Sequence, residues 1–101
     1  MITFEYRFDI VPGKQKEYDR YVAGAGKDIW IKFPGVKAVR TYKSIFGGSS
    51  PQRVVQVDLE SLAALEKILS NAAFQKAKSA FHGLVANVSD SLLAKVSEKK
   101  K

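Results

Sequence analysis

Apolar and polar residues alternate strictly at the start of the chain. The apolar positions are Ile2, Phe4, Tyr6, Phe8 and Ile10, and the polar positions between them are Thr3, Glu5, Arg7 and Asp9. A period of two is typical of a strand that is buried on one face only. The stretch therefore predicts a first strand with an aromatic core face and a charged outer face, ended by Pro12 and Gly13.

The hydrophobic spacing changes to three and four after this turn, which predicts a helix over residues 14–32. Gly24 and Gly26 weaken its second half, and the sequence leaves open whether they mark a kink, a close approach or an irregular segment. Pro34 ends the element. Residues 36–46 predict a second strand whose two faces are both partly apolar, so the pattern does not decide which face Arg40 occupies.

The second half of the chain contains a hairpin, a broken helix and a last strand. The loop Gly47–Pro51 leads into a returning strand over residues 53–59, with alternating valines. Ser61 is a typical N-cap for a helix that breaks at Ser70-Asn71 and resumes over residues 72–88. Residues 89–96 predict the last strand, although they could instead extend the helix.

The resulting order, β-α-β-β-α-β, predicts an α+β, ferredoxin-like fold: a four-stranded antiparallel sheet with both helices on one face. The first strand then lies between the third and fourth strands. Its outer residues Glu5, Arg7 and Asp9 join a face that mixes charges with apolar residues. Burial of such a face against a second copy would pair the charges, so we expect a homodimer; a monomer with an open, solvated sheet is the alternative.

Composition limits the class of protein. A chain of 101 residues with 46% hydrophobic residues predicts one globular domain over residues 1–97, followed by a disordered basic tail over residues 98–101. The absence of cysteine excludes disulfides and thiolate metal sites, and fits a cytoplasmic location. No apolar run has the length of a membrane span.

The net charge of +7 does not by itself indicate nucleic-acid binding. Four lysines against Glu98 supply +3 in the last seven residues, and the other basic residues are scattered. A nucleic-acid surface needs basic residues gathered on one face, so a solvated surface is the better interpretation. With one histidine there is no histidine-rich metal site, and we expect neither metal nor cofactor.

Aromatic residues are the strongest candidates for function, although a simple core is the plainest interpretation of them. The sharper hypothesis is an aromatic pocket between sheet and helices that binds a small aromatic or apolar ligand. Its candidate residues are Tyr6, Trp30, Arg40, Tyr42 and His82. Arg40 and Tyr42 would serve as polar anchors if they face the helices. His82, beside an apolar stripe, is otherwise a boundary residue.

Several short motifs resemble the opening of NIPSNAP-type domains: Phe4-Glu5-Tyr6-Arg7-Phe8, then Val11-Pro12-Gly13-Lys14 and Glu17-Tyr18. The hairpin return at Val54–Val57 and the helical break before Phe74 are also similar. The resemblance implies the dimeric α+β barrel superfamily, which also contains cofactor-free quinol monooxygenases and haem-degrading monooxygenases. It implies a dimer with paired sheets and a pocket between sheet and helices.

The oxygenase residues of that superfamily are absent at the matching positions. Lys78 stands where the haem-degrading members have a haem-ligating histidine, and His82 follows one turn later. Asp58-Leu59 replaces the acidic-Trp pair of the monooxygenases. The sequence thus leaves three functions open: a ligand-binding protein, a cofactor-free monooxygenase-like or isomerase-like enzyme, and a non-catalytic assembly module.

Overall fold

A computed structural model describes all 101 residues as a four-stranded antiparallel sheet with three helices. The elements in chain order are β1 (Ile2–Ile10), α1 (Gln15–Ala23), β2 (Val36–Lys43), β3 (Arg53–Leu59), α2 (Leu62–Leu69), α3 (Ala72–His82) and β4 (Val85–Ala94). The strand order is β2-β3-β1-β4, so β1 lies between β3 and β4 as the sequence predicts. The ferredoxin-like α+β fold is confirmed.

The core lies between the helices and one face of the sheet, which we call the inner face. It receives Phe8 and Ile10 from β1 and Val55, Val57 and Leu59 from β3. The rest of the buried cluster is Val85 of β4 and, from the loop and helices, Tyr18, Trp30, Leu65, Ile68 and Phe74. The alternation of β1 and β3 therefore assigns their faces correctly, because the helices exclude water from one side of the sheet only.

Helix α1 is shorter than the predicted helix over residues 14–32. It ends at Ala23, and the backbone N–H groups of Gly24 and Gly26 both donate to the Tyr21 carbonyl, at 3.1 and 2.8 Å. A Cβ at Gly26 would lie 2.1 Å from a carbon of the Tyr21 ring, so this position requires glycine. The chain then continues in turns through Asp28, whose φ is +51°, and the glycines mark an irregular segment.

Two side-chain caps start the later helices. The Ser61 hydroxyl accepts a hydrogen bond from the Ala64 N–H at 3.2 Å, and the Asn71 carboxamide oxygen accepts one from the Phe74 N–H at 3.0 Å. Each cap satisfies an N–H that has no partner within its own helix. The predicted cap at Ser61 and the break at Ser70-Asn71 are confirmed.

Helix α3 ends at His82, so the prediction of a helix through Val88 is wrong. Strand β4 begins at Val85, four residues before the predicted strand. A β-bulge explains the error: Arg7 pairs with Ser89 and Asp9 with Ala86, which leaves two residues of β4 opposite one of β1. Asn87, at φ +56°, occupies the bulge. The inward residues Val85 and Val88 are consequently three apart, a spacing that imitates a helix.

A second irregularity explains the ambiguous pattern of β2. Val36 pairs with Leu59 but Ala38 pairs with Asp58, so the register shifts by one residue between them. Val36 therefore lies on the inner face with Val39 and Thr41, whereas Arg40 lies on the other face. Strand β2 also ends at Lys43, before the predicted boundary at residue 46. None of the helices has the length and hydrophobicity that a bilayer crossing requires.

Candidate functional site

A cavity of about 420 Å³ lies between the inner face of the sheet and the helices. Hydrophobic residues account for 14 of its 21 lining residues. Its walls are the inner positions of all four strands, α1 with the turns that follow it, the last residue of α2, and α3. Small-molecule sites are commonly concave, mostly apolar and about 300–1,000 Å³ in volume. The cavity has the size and lining of such a site.

Aromatic rings form the centre of this cavity. The ring centroids of Phe8 and Phe81 lie 4.8 Å apart with nearly perpendicular planes, and those of Trp30 and Phe74 are also 4.8 Å apart, edge to face. Tyr6 contacts Phe81 edge-on at 5.9 Å. Edge-to-face packing fixes ring orientations, so the cavity presents ring faces and edges in defined positions.

Tyr6 carries the polar group at the centre of the aromatic cluster. Its hydroxyl oxygen accepts a hydrogen bond from the Trp30 indole N–H at 3.1 Å. Burial disfavours the phenolate and raises the pKa of Tyr6 well above its usual range of about 10. The hydroxyl therefore keeps its proton, and because its one hydrogen bond in the protein is the one it accepts from Trp30, that proton is available to a ligand.

Three polar residues, Lys78, His82 and Asp90, line the side of the cavity between α3 and β4. Lys78 and His82 are four residues apart on α3, so they share one face of the helix. Asp90 on β4 lies directly opposite Tyr6 of β1 in the antiparallel strand register. The ion pairs of the protein, which join Arg7–Glu5, Lys37–Glu60, Arg40–Asp58, Lys95–Glu98 and Lys100–Glu98, include none of these three.

Three of the five predicted ligand residues, Tyr6, Trp30 and His82, line this cavity. Arg40 and Tyr42 do not line it, so the condition for their role as polar anchors, that they face the helices, is not met. They lie on the opposite face of the sheet, because the register shift in β2 separates them from Val36. The bulge at Asn87 and the shift at Lys37 leave no clear signal in the sequence.

Lys78 and Asp90 are cavity residues that sequence analysis did not select. A signal for each exists: Lys78 precedes His82 by one helical turn, and Asp90 alternates with the apolar Val88 and Leu92. A charged residue in register with apolar neighbours on one strand face is a candidate for function. The signal for Asp90 identifies a cavity residue only when the last strand is recognised as starting at Val85, because Val85 and Val88 show which face of the strand is the inner one.

The opposite face of the sheet, which we call the outer face, carries a hydrogen-bonded network across all four strands. Arg40 donates two hydrogen bonds to the Asp58 carboxylate, at 2.8 and 2.7 Å. Gln56 accepts from Arg40 at 3.1 Å and donates to Glu5 at 2.9 Å. Arg7 pairs with Glu5. Arg7 also reaches two hydroxyls of β4, Ser89 at 3.1 Å and Ser91 at 3.0 Å.

The carboxylates of the outer face are held by donors within the chain. The Arg40 guanidinium, followed by the Thr3 hydroxyl, lowers the pKa of Asp58 to about 2. Asp9 accepts from the Asn87 side chain at 2.9 Å, from the Ser50 hydroxyl at 2.7 Å and from the Gln52 N–H at 2.9 Å, and its pKa is lowered. The predicted outer residues Glu5, Arg7 and Asp9 are all on this face.

No group of three or more His, Cys, Asp or Glu side chains is arranged to hold a metal ion. The polar groups that line the cavity are suited instead to hydrogen bonding and proton transfer with an organic ligand.

The fold is shared with several solved proteins of low sequence identity. SnoaB from Streptomyces nogalater, described as a cofactor-independent oxygenase, is similar with a TM-score of 0.77 and 15% identity, over 99% of this chain and 97% of that one. A putative antibiotic biosynthesis monooxygenase from Bordetella bronchiseptica has a TM-score of 0.74 and 22% identity, over 95% and 97% of the two chains.

A second putative antibiotic biosynthesis monooxygenase, from Deinococcus radiodurans, has a TM-score of 0.78 and 11% identity over 100% and 98% of the two chains. No protein-family model matches the chain, and no curated protein matches it. The chain therefore has the α+β fold of these proteins. The resemblance to NIPSNAP domains in particular stays an interpretation of the sequence.

Proposed function

We propose that the protein binds a small planar aromatic molecule in the cavity between sheet and helices. The observation that carries this proposal is the cavity itself: about 420 Å³, two-thirds of its lining residues hydrophobic, with perpendicular aromatic rings at its centre. A flat ring system can stack on these rings and exclude water from them. Polar groups on one side give such a ligand a preferred orientation.

The Tyr6 hydroxyl supplies the specificity of the site. It is a neutral donor held by Trp30, so it favours a ligand with a carbonyl or phenolic oxygen that can accept its proton. A ligand without such an acceptor would leave the buried hydroxyl proton unpaired, which costs about 1–3 kcal/mol. We therefore expect oxygenated aromatic compounds to bind more tightly than plain hydrocarbons of the same shape.

The one tryptophan of the chain makes the binding test direct. Trp30 lies in the cavity wall, so a bound ring should quench its fluorescence. We expect saturable quenching by 1,8-dihydroxyanthraquinone and weaker quenching by anthracene. Val88→Phe and Val39→Phe fill the cavity from opposite sides, and each should abolish saturation. Leu62→Phe, on the exposed side of α2 outside the cavity, is the matched control. Equal quenching in all four proteins would contradict the proposal.

A second candidate function is cofactor-independent oxygenation of the bound compound. The observation that favours it is the fold shared with SnoaB combined with a cavity that places a neutral phenol against the ligand. The test supplies 1,4-dihydroxynaphthalene and ¹⁸O₂ in buffer with a chelator and measures ¹⁸O in the product by mass spectrometry. Incorporation that depends on an open cavity supports oxygenation. Oxidation at the rate of the protein-free solution contradicts it.

We further propose that the outer face packs against a second copy of the chain. Exposed Tyr42 and Leu93 lie at its two edges, on either side of a polar network whose charges are already paired. Burial of charges that are already paired avoids the cost of a buried ion without a partner. Sedimentation should give twice the chain mass of 11.2 kDa, and Arg7→Ala should weaken the dimer because it leaves Glu5 without its cation. A monomer at micromolar concentration would contradict the proposal.

A non-catalytic assembly module remains the alternative to both ligand-based functions. It predicts a stable dimer whose Trp30 fluorescence no planar probe changes, together with wild-type dimerisation in the cavity-filling variants. These measurements separate the alternatives without knowledge of the natural ligand.

A further inference from the structure

We propose that Asp90 and Tyr6 form a proton-transfer pair that enolises a carbonyl compound bound in the cavity. Asp90 accepts a proton from the carbon next to the carbonyl group, and the Tyr6 hydroxyl donates a hydrogen bond to the carbonyl oxygen. The inference rests on the proposed binding of a planar ligand and adds a reaction that needs neither oxidant nor cofactor.

The strand register places the two groups beside each other. Tyr6 and Asp90 are direct partners across β1 and β4, and both line the cavity. Directly opposed residues of an antiparallel pair have Cβ atoms about 4.5–5.5 Å apart. The short aspartate side chain stays near the strand, whereas the longer tyrosine reaches the Trp30 indole. A base and a hydrogen-bond donor at different depths match a C–H group and the oxygen of its neighbouring carbonyl.

Asp90 differs from the other aspartates of the sheet in its surroundings. Asp9 accepts three hydrogen bonds, and Asp58 accepts from Arg40 and Thr3. A carboxylate that is paired with an arginine is a poor base because its anionic form is stabilised. Asp90 belongs to no ion pair of the protein, is exposed to solvent and lines the cavity.

Tyr6 must keep its proton in order to donate a hydrogen bond, and its surroundings favour the protonated form. A donor to a developing oxyanion must hold its proton, and burial keeps Tyr6 in the phenol form. Trp30 fixes the position of the hydroxyl oxygen by donating to it at 3.1 Å. A preorganised donor of this kind stabilises negative charge that appears on the substrate oxygen during the reaction.

The proposed step balances without other reactants. The C–H bond breaks, its proton joins an Asp90 carboxylate oxygen, and its electron pair forms a C=C bond. The carbonyl π pair moves to the oxygen, which becomes an enolate oxygen hydrogen-bonded to Tyr6. Return of the proton to the same carbon regenerates the substrate, and its return to a conjugated carbon gives an isomer. Lys78 and His82 on α3 line the same cavity as this pair.

The strength of the base limits the substrate class. Carboxylates are weak bases, with reference pKa values near 4, so the C–H group must be acidified by both a carbonyl and an adjacent ring. The class is therefore a fused-ring ketone with a benzylic hydrogen next to the carbonyl. 2-Tetralone, a bicyclic ketone of this type, is a suitable probe.

The experiment measures exchange of the benzylic hydrogens of 2-tetralone in D₂O by proton NMR. We expect the protein to accelerate exchange over buffer at the same pD. Asp90→Asn should slow the protein-dependent rate by at least about 100-fold, which is the lower range for a general base. Tyr6→Phe should slow it by about 100-fold, as loss of an oxyanion donor does. Glu66→Gln, which removes an exposed carboxylate on α2, should leave it unchanged.

Trp30 fluorescence separates the failure of this inference from failure of the proposed function. If 2-tetralone quenches Trp30 saturably in the wild type and in Asp90→Asn, but the two exchange hydrogens at equal rates, the proton-transfer pair is wrong and binding stands. If neither 2-tetralone nor 1,8-dihydroxyanthraquinone binds, both proposals are wrong. Retained circular dichroism of each variant confirms that a lost rate is not lost folding.

Discussion

The two faces of the sheet differ in whether their charged residues are paired. On the outer face, Arg40, Asp58, Gln56, Glu5 and Arg7 are joined by hydrogen bonds from strand to strand. On the inner face, the charged residues that line the cavity belong to no ion pair of the protein.

This difference separates structural polar groups from chemically available ones. A carboxylate with several donors holds its neighbours in place, but it cannot easily take a proton. A carboxylate without such donors is free of this stabilisation of its anion. The charge count alone does not distinguish the faces, because both carry acidic and basic residues.

The largest expected effect tests whether the inner face carries the stability. Phe8→Ala removes a ring that is 1% exposed and should lower the free energy of unfolding by about 3–5 kcal/mol, since a cavity remains. Tyr42→Ala on the outer face, where the ring is 50% exposed, should cost less than about 1 kcal/mol in the isolated chain. Urea unfolding followed by circular dichroism measures both. Equal losses of unfolding free energy in the two variants would contradict an energetic difference between the faces.

The next prediction concerns the cavity wall at Gly26. The added methyl group of Gly26→Ala meets the Tyr21 ring, whose hydroxyl donates to the Ala77 carbonyl at 3.2 Å. We expect a loss of about 1–3 kcal/mol from this overpacking. In a Tyr21→Ala background the same change should cost clearly less, because the obstructing ring is gone. An equal cost in both backgrounds would show that the ring is not the obstacle.

A third prediction uses pH to measure the outer network. The folded-state pKa of Asp58, about 2, is below its usual value of 3.8, so its pairing stabilises the protein above about pH 4. This contribution should be lost as pH falls from about 4 towards 2. Asp58→Asn should therefore be less stable than wild type at pH 7, with the difference shrinking at low pH. Arg40→Gln should reduce the same acid dependence. A difference independent of pH would contradict this.

The smallest expected effect comes from a single hydrogen bond of the network. Thr3→Val removes the hydroxyl that donates to Asp58 at 2.8 Å and keeps the shape of the side chain. We expect a loss of about 1 kcal/mol, typical of one such bond, measured as a shift in the urea midpoint. In an Asp58→Asn background the loss should change, since the acceptor is altered. Strict additivity would show that the two residues act independently.

Much of the fold follows from local patterns in the sequence. The alternation of β1 and the valines of β3 identify a sheet with one buried face, and Ser61 marks a helix start by its capping chemistry. These signals are short-range, so they survive without knowledge of the tertiary structure. Tyr6 and Trp30 line the same cavity, and the high aromatic content of the chain is the signal that points to them; their role in ligand binding stays a prediction.

The errors concentrate on the two edge strands. The sequence makes Arg40 a candidate for the pocket, but it lies on the outer face, whereas Asp90, which is not among the candidates, lines the cavity. In each case one unpaired residue in the ladder reverses the alternation, and such an irregularity depends on pairing with a strand far away in sequence. The extent of α1 was missed for a related reason: the contact between Gly26 and Tyr21 depends on how the turn folds back.

The bulge at Asn87 has a consequence for how the chain tolerates insertions and deletions. Loss of this one codon, with the rest of β4 still paired as before, would restore simple alternation between Val85 and the end of the strand. Val88 would then lie opposite Phe8, and Asp90 would stay opposite Tyr6 and still face the cavity. A chain shorter by one residue could thus keep both its fold and its candidate base. Comparisons of β4 between relatives should therefore be aligned by face rather than by residue number.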